Sequence, residues 1–130
     1  MTATLITAGL LALLLLFLSA LVIAGRVKFK IDLGDGGNEQ MRQRMRAQAN
    51  FVEYVPMALI LLMLVETAAI GPGWFAGAMG ATLVVARLWH AQGLLGSPGT
   101  SAGLFMGTNL TGLVILAGAL AVLGRGVKVW

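Results

Sequence analysis

TATLITAGLLALLLLFLSALVIAG, residues 2–25, carries not one Asp, Glu, Lys or Arg. Wound as a helix rising 1.5 Å per residue, such a run reaches roughly 36 Å, past a hydrocarbon core of about 30 Å. Arg26, Lys28 and Lys30 follow it. A secretory leader places its basic residues in front of an apolar core of about 7 to 15 residues. Here the order is reversed and the core longer, so the segment is expected to stay attached as a membrane anchor. The rest of the 130 residues agrees: 58% are hydrophobic, 11% are charged and mean hydropathy is +0.91. A soluble domain covers itself with about 25% charged residues, and the nine basic and five acidic side chains here fall far short. The bilayer is the solvent, and the length allows one domain. There are no cysteines, which excludes disulfides, thiolate metal sites and a Cys nucleophile.

Beyond this first span, residues 26–46 form the main polar stretch. A turn is predicted at Asp35-Gly36-Gly37-Asn38, where glycine supplies positive φ and Asn38 caps a helix starting near Glu39. That helix runs without a breaker to about Ala69, its first two turns outside the apolar core, with Pro56 expected to bend it. Ala69-Ile70-Gly71-Pro72-Gly73 and Gly96-Ser97-Pro98-Gly99-Thr100 are tight, uncharged turns. One domain of four spans results, at about 2–25, 47–69, 74–95 and 101–123, an all-α membrane protein.

Lysine and arginine placement sets the orientation. Arg26, Lys28, Lys30, Arg42, Arg44 and Arg46 share one loop, while Arg125 and Lys128 lie on the opposite face. Loop 26–46 and the turn at 96–100 are therefore expected in the cytoplasm, with both termini outside. The net charge of +4 is read as this topological mark, and nucleic acid is not expected as a partner. Small residues recur at helix-packing spacing, Gly73 with Gly77 and Gly103 with Gly107, then Thr108, Thr111, Gly112 and Gly118. They predict close helix contacts, within one bundle or between subunits.

A charged side chain near the middle of a span costs roughly 2.5 to 3.5 kcal/mol on insertion scales, so each one requires a partner or a task. Asn50, Glu53, Arg87 and His90 are the polar groups that stand out. Arg42, Arg46, Asn50, Glu53 and Met57 fall within roughly 80° of helical arc, with Tyr54 at the border and Arg44 and Glu66 nearly opposite. Glu53 lies about 10 Å deeper than Arg46, and Arg87, which shares a face with His90 and Leu94, lies about 13 Å from Gly96. Their similar depth predicts one of two arrangements. Glu53 and Arg87 form an ion pair that locks two spans, with Asn50 and His90 bonding between helices. Alternatively the stripe lines a cytoplasm-facing cleft for an anionic or zwitterionic ligand, arginines meeting carboxylates, Glu53 an amine and Asn50 amides. One His and one Glu make no metal site, and the lone His has no nucleophile and orienting carboxylate to form a hydrolytic triad.

At these residues the chain resembles a known family. Arg46-Ala47-Gln48-Ala49-Asn50-Phe51-Val52-Glu53-Tyr54-Val55-Pro56 is similar to the signature Arg-x-x-x-Asn-x-x-Glu-Tyr-x-Pro of the membrane-associated proteins in eicosanoid and glutathione metabolism, the MAPEG family. Gly34-Asp35-Gly36-Gly37, Glu66 and Arg87-Leu88-Trp89-His90-Ala91-Gln92-Gly93 resemble its bacterial branch. The resemblance implies a left-handed four-helix bundle, a homotrimer, and glutathione bound between subunits on the cytoplasmic side. It assigns ligand contacts to Arg26, Arg46, Asn50, Glu53, Tyr54 and His90. Implied activities are conjugation of the glutathione thiol to lipophilic electrophiles and reduction of lipid peroxides. Two departures stand out. Active members carry an arginine near the start of span four, where this chain has Leu104 and Phe105, and a tyrosine where Leu94 stands. A free thiol near pKa 8.5 must fall by roughly two units to be mostly thiolate at neutral pH, and Arg87 or His90 is the substitute candidate for that catalytic role.

The expected function is therefore an inner-membrane protein that binds glutathione or a related thiol, as co-substrate without any metal, and presents it to a lipophilic small molecule arriving through membrane lipid. The alternative is a non-catalytic scaffold or binding protein of the same fold. A small proton-coupled exporter fits less well, since those carry an essential acid in the first span.

Overall fold

The computed structural model describes residues 1–96 and 101–128. They form four helices in chain order: α1 (Thr2–Phe29), α2 (Glu39–Thr67), α3 (Phe75–Gly96) and α4 (Ala102–Gly126). The expected turn at residues 97–100 lies outside the described residues. Three helices, α1, α2 and α4, are long and apolar enough to cross a membrane. Four such spans were expected. α3 falls short in composition because Arg87, His90 and Gln92 sit among its 22 residues, yet at about 33 Å it is as long as a span needs to be. Its charged and imidazole side chains are turned into the bundle, Arg87 and His90 both buried.

The polar segment folds as its residues dictate. Gly34, Gly36 and Gly37 take positive φ, the Asp35 carboxylate accepts from the Gly37 N–H at 2.9 Å, and the Asn38 side-chain oxygen accepts from the Met41 N–H at 2.9 Å. Asn38 is thus the N-cap of α2, satisfying a backbone donor that has no partner within the helix. At its other end α2 stops at Thr67, two residues short of the expected limit, where Ala69 turns into the left-handed region (φ 49°) and the Ile70 N–H closes on the Val65 carbonyl at 2.9 Å. Pro56 stays inside α2 and leaves the Val52 carbonyl without its helical donor.

α2 and α3 form the centre. α2 touches all three other helices, α3 likewise, and α1 and α4 do not meet. The α3–α4 seam is backbone on backbone. A Cβ on Gly107 would lie 2.6 Å from the Ala86 carbonyl oxygen and the His90 Cβ, one on Gly103 would lie 2.8 Å from the Trp89 carbonyl oxygen, and Gly93 sits against the Leu104 amide. Of the predicted small-residue contacts, Gly103, Gly107 and Gly118 pack within the bundle, whereas Gly73, Gly77 and Gly112 face open space. Thr108, Asn109 and Thr111 return their side-chain donors to carbonyls of their own helix, at 2.9, 2.7 and 2.8 Å, a common way to satisfy polar groups in lipid.

α1 shows Leu5, Leu10, Leu13 and Leu16 to the outside. Lipid offers no hydrophobic drive for it to pack, and polar clamps from α2 hold it instead. The Glu66 carboxylate accepts from the Ala3 and Thr4 N–H groups (2.9 and 2.8 Å) and the Thr4 hydroxyl (2.6 Å). Gln48 donates to Ser19 at 2.9 Å, and Arg44 donates to the Leu21 carbonyl at 2.8 Å. The two residues opposite the polar stripe therefore fasten α1 at its first turn and again at Leu21, in its C-terminal third.

Candidate functional site

The intramembrane polar residues meet around Arg87. Every residue from Thr82 to Gln92 lies within α3, so helical spacing alone puts Arg87 and His90 on one face, and that face turns toward α2 and α4. The Arg87 side chain is 1% exposed and His90 2%. Arg87 Nη2 donates to Asn50 Oδ1 at 2.9 Å and approaches His90 Nδ1 at 3.4 Å. The guanidinium lies over the Phe51 ring, 5.5 Å from its centroid. Its Nε has no partner, which no other buried side-chain nitrogen or oxygen shares among the described residues.

The Glu53–Arg87 ion pair, one of the two expected arrangements, is not formed; Glu66 pairs with the N-terminus and Arg42 with Asp35 and Glu39. Asn50 takes the place of Glu53. The reason is angular: the two positions are about 60° apart around α2, and only Asn50 turns far enough toward α3. Glu53 and Arg46 are exposed, and Tyr54 is 42% exposed. The predicted stripe thus splits. Its inner edge, Asn50, joins a buried network, while Arg46, Glu53, Tyr54 and Met57 lie open on the outer face of α2.

Arg26 does not join them. Its Nη1 reaches the Asp32 carbonyl at 2.9 Å and the Ile31 and Gly34 carbonyls at 3.4 and 3.5 Å, so it braces the loop after α1. Leu104 and Phe105 stand at the start of α4 with Phe105 exposed. Val52 and Pro56, neighbours of Glu53 in sequence, line an apolar groove of about 260 Å³ against Leu11 and Leu15 of α1. No group of three or more His, Asp or Glu side chains able to hold a metal occurs among the described residues. Sequence reasoning passed over Phe51; its signal was its place on the buried face of α2, one residue from Asn50.

This combination, an Asn-x-x-Glu-Tyr run on α2 whose Asn50 meets the buried Arg-x-x-His face of α3, agrees with comparison to known proteins. A profile of the MAPEG family matches residues 4–123, nearly the whole chain. The chain belongs to the MAPEG family. It is also 34% identical over 82 residues to the inner membrane protein YecN of Escherichia coli strain K12, covering 63% of this chain and 62% of that relative. The protein of the same name from Escherichia coli O6:H1 strain CFT073 matches to the same extent. The match spans less than two thirds of each relative's length. With three helices long and apolar enough to span, this MAPEG protein is an integral membrane protein.

Proposed function

We propose that this MAPEG protein binds glutathione or a related thiol peptide on the outer face of α2, in a cleft closed by a neighbouring copy of the chain, and presents the thiol to lipophilic electrophiles or lipid peroxides. The observation that carries the reading is the open stripe of Arg46, Glu53 and Tyr54. A carboxylate left exposed on the apolar stretch of α2 is costly beside lipid, and a zwitterionic ligand held between subunits would pair with it and with Arg46 at the head of that stretch. Glutathione offers two carboxylates, an amine and a thiol, to which Arg46, Glu53 and Asn50 are complementary. Three copies around an axis, the inner membrane named for the relatives, and an orientation with loop 26–46 in the cytoplasm belong to the same proposal. Catalysis would rest on positioning and thiolate stabilisation by the chain's own cations.

Isothermal titration of the detergent-solubilised protein with glutathione tests it. Binding that weakens at least tenfold in both Arg46→Ala and Glu53→Gln supports the reading, and no heat at millimolar ligand removes it. A second reading, binding without turnover, is favoured by Leu104 and Phe105 standing where active members carry a cation. Conjugation of a generic aryl halide by the wild-type protein separates the two.

A further inference from the structure

The uncharged run of α1 ends at Gly25. Lys28 follows after about 4.5 Å of helical rise, within the headgroup layer of roughly 5 to 7 Å that covers each side of the hydrocarbon core. Beside it stand the two most exposed large apolar side chains among the described residues, Val27 at 77% and Leu33 at 89%. Cationic stems next to open apolar groups suit the boundary between acyl chains and headgroups. The stretch is also ordered. Arg26 Nη1 donates to the Asp32 carbonyl at 2.9 Å, with the Ile31 and Gly34 carbonyls at 3.4 and 3.5 Å, and so folds residues 31–34 back against the last turn of α1. Lys30 ends the helix in the left-handed region, φ 54°, its N–H on the Arg26 carbonyl. The Ile31 side chain covers Gly36, where a Cβ would come within 2.9 Å of its Cδ1. The fold-back leaves a cleft of about 400 Å³ lined by Arg26, Val27, Lys30, Ile31 and Asp32.

Charge adds a second observation, because the cations of this loop are not alike. Arg42 pairs with Asp35 and Glu39. Arg44 donates to the Leu21 carbonyl and lies over the Phe29 ring, 5.8 Å from its centroid. Lys28 meets only that same ring, at 5.2 Å, and no ion pair reaches the Lys30 ammonium among the described residues. Both lysines are exposed. Arg26 spends Nη1 on backbone carbonyls, which are neutral, so its charge is uncompensated as well. Asp32 is the one carboxylate lining the cleft. Arg26, Lys28 and Lys30 against Asp32 leave two positive charges in excess, at the depth where a membrane carries its phosphates. A juxtamembrane cluster of this kind attracts anionic lipid.

We propose that the cleft between the end of α1 and residues 31–34 holds the phosphodiester headgroup of an anionic phospholipid, with Lys30 on the phosphate, Lys28 adding its charge beside it, and Val27 and Leu33 set among the first acyl methylenes. Arg26 is a positioning residue, since its grip on three carbonyls fixes where Leu33 lies relative to Lys30. Asp32 opposes the headgroup by like-charge repulsion. A soluble phosphate would leave Val27 and Leu33 uncovered, whereas a phospholipid satisfies the lysines and covers both apolar groups with one molecule. The site is separate from the stripe on α2 and does not rest on the thiol-binding reading.

Native mass spectrometry of the full chain released from detergent, titrated with phosphatidylglycerol or with phosphatidylcholine of the same acyl chains, tests the proposal. One phosphatidylglycerol per chain is expected to remain bound at collision energies that strip phosphatidylcholine. Lys28→Gln and Lys30→Gln should each weaken it about fivefold, and Asp32→Asn should strengthen it. Leu33→Ser should weaken it without removing the preference for the anionic lipid. Lys128→Gln removes the same charge at the end of α4 and should change the affinity less than twofold. All five positions are exposed, so these variants are expected to fold. Equal retention of the two lipids overturns the proposal, as does a loss in Lys128→Gln equal to that in Lys30→Gln, which would reduce the effect to net charge. Displacement of the lipid by inorganic phosphate in large excess overturns it as well, by making the occupant a soluble anion.

Discussion

Adding one methyl group at Gly107 should separate α3 from α4. A Cβ there would stand 2.6 Å from the Ala86 carbonyl oxygen, 2.6 Å from the His90 Cβ and 2.7 Å from the His90 amide nitrogen. Two of these are backbone atoms of α3 and cannot swing aside. Ordinary contact begins near 3.4 Å, so the helices must move apart locally by roughly 0.8 Å, and overpacking of that kind costs about 1 to 3 kcal/mol. Gly107→Ala should therefore lower stability by about 2 kcal/mol even though alanine is the better helix former by about 1 kcal/mol. Gly112, one and a half turns further along α4, has nothing within 4 Å of the same methyl group. Gly112→Ala keeps the propensity gain without the clash and should stabilise by up to about 1 kcal/mol. Equilibrium unfolding in mixed detergent micelles, followed by circular dichroism, measures both. Because His90 is one of the displaced residues, the nitrogen-15 signal of its ring should shift in Gly107→Ala and not in Gly112→Ala. A Gly107→Ala protein as stable as Gly112→Ala would refute the direct backbone contact.

The ends of the helices give two further expectations. Glu66→Gln leaves the first turn of α1 without its carboxylate acceptor for the Ala3 and Thr4 donors, so amide exchange at these residues should accelerate severalfold while that of the α3–α4 seam stays unchanged; equal protection in both proteins contradicts the clamp. Ala69 holds φ 49° at the end of α2, a conformation in which a Cβ costs roughly 1 kcal/mol and glycine costs little. Ala69→Gly should raise stability by about that amount in the same unfolding assay, and a loss would argue against the turn.

Much of the architecture was legible because it depends on local chemistry. The uncharged run at residues 2–25 could only be a spanning helix, and Asp35-Gly36-Gly37-Asn38 reads as a turn and cap because glycine reaches positive φ and asparagine reaches back to an amide. Asn50, Arg87 and His90 were recognised as out of place in lipid and are found together. Their pairing was less legible. A stripe roughly 80° wide cannot tell which of its members faces a neighbouring helix, and Glu53, the residue with the better charge for Arg87, lies on the outer edge. Arg26 and Glu66 were harder still, since a carboxylate or guanidinium at a helix end has many possible acceptors and donors. α3, expected as a span, falls short in composition for a related reason: its Arg87 and His90 are hidden by packing that hydropathy does not include.

The sequence by itself determined how many helices the chain forms and closely where they begin, since hydrophobic patterning and capping of backbone amides are settled within a few residues of the group concerned. Only the tertiary structure decided that Arg87 bonds to Asn50 and not to Glu53. That outcome turns on how α3 sits against α4, where Gly93, Gly103 and Gly107 let two backbones touch, and on a rotation of α2 by a fraction of one residue step. Such rotations are set by the packing of all four helices at once.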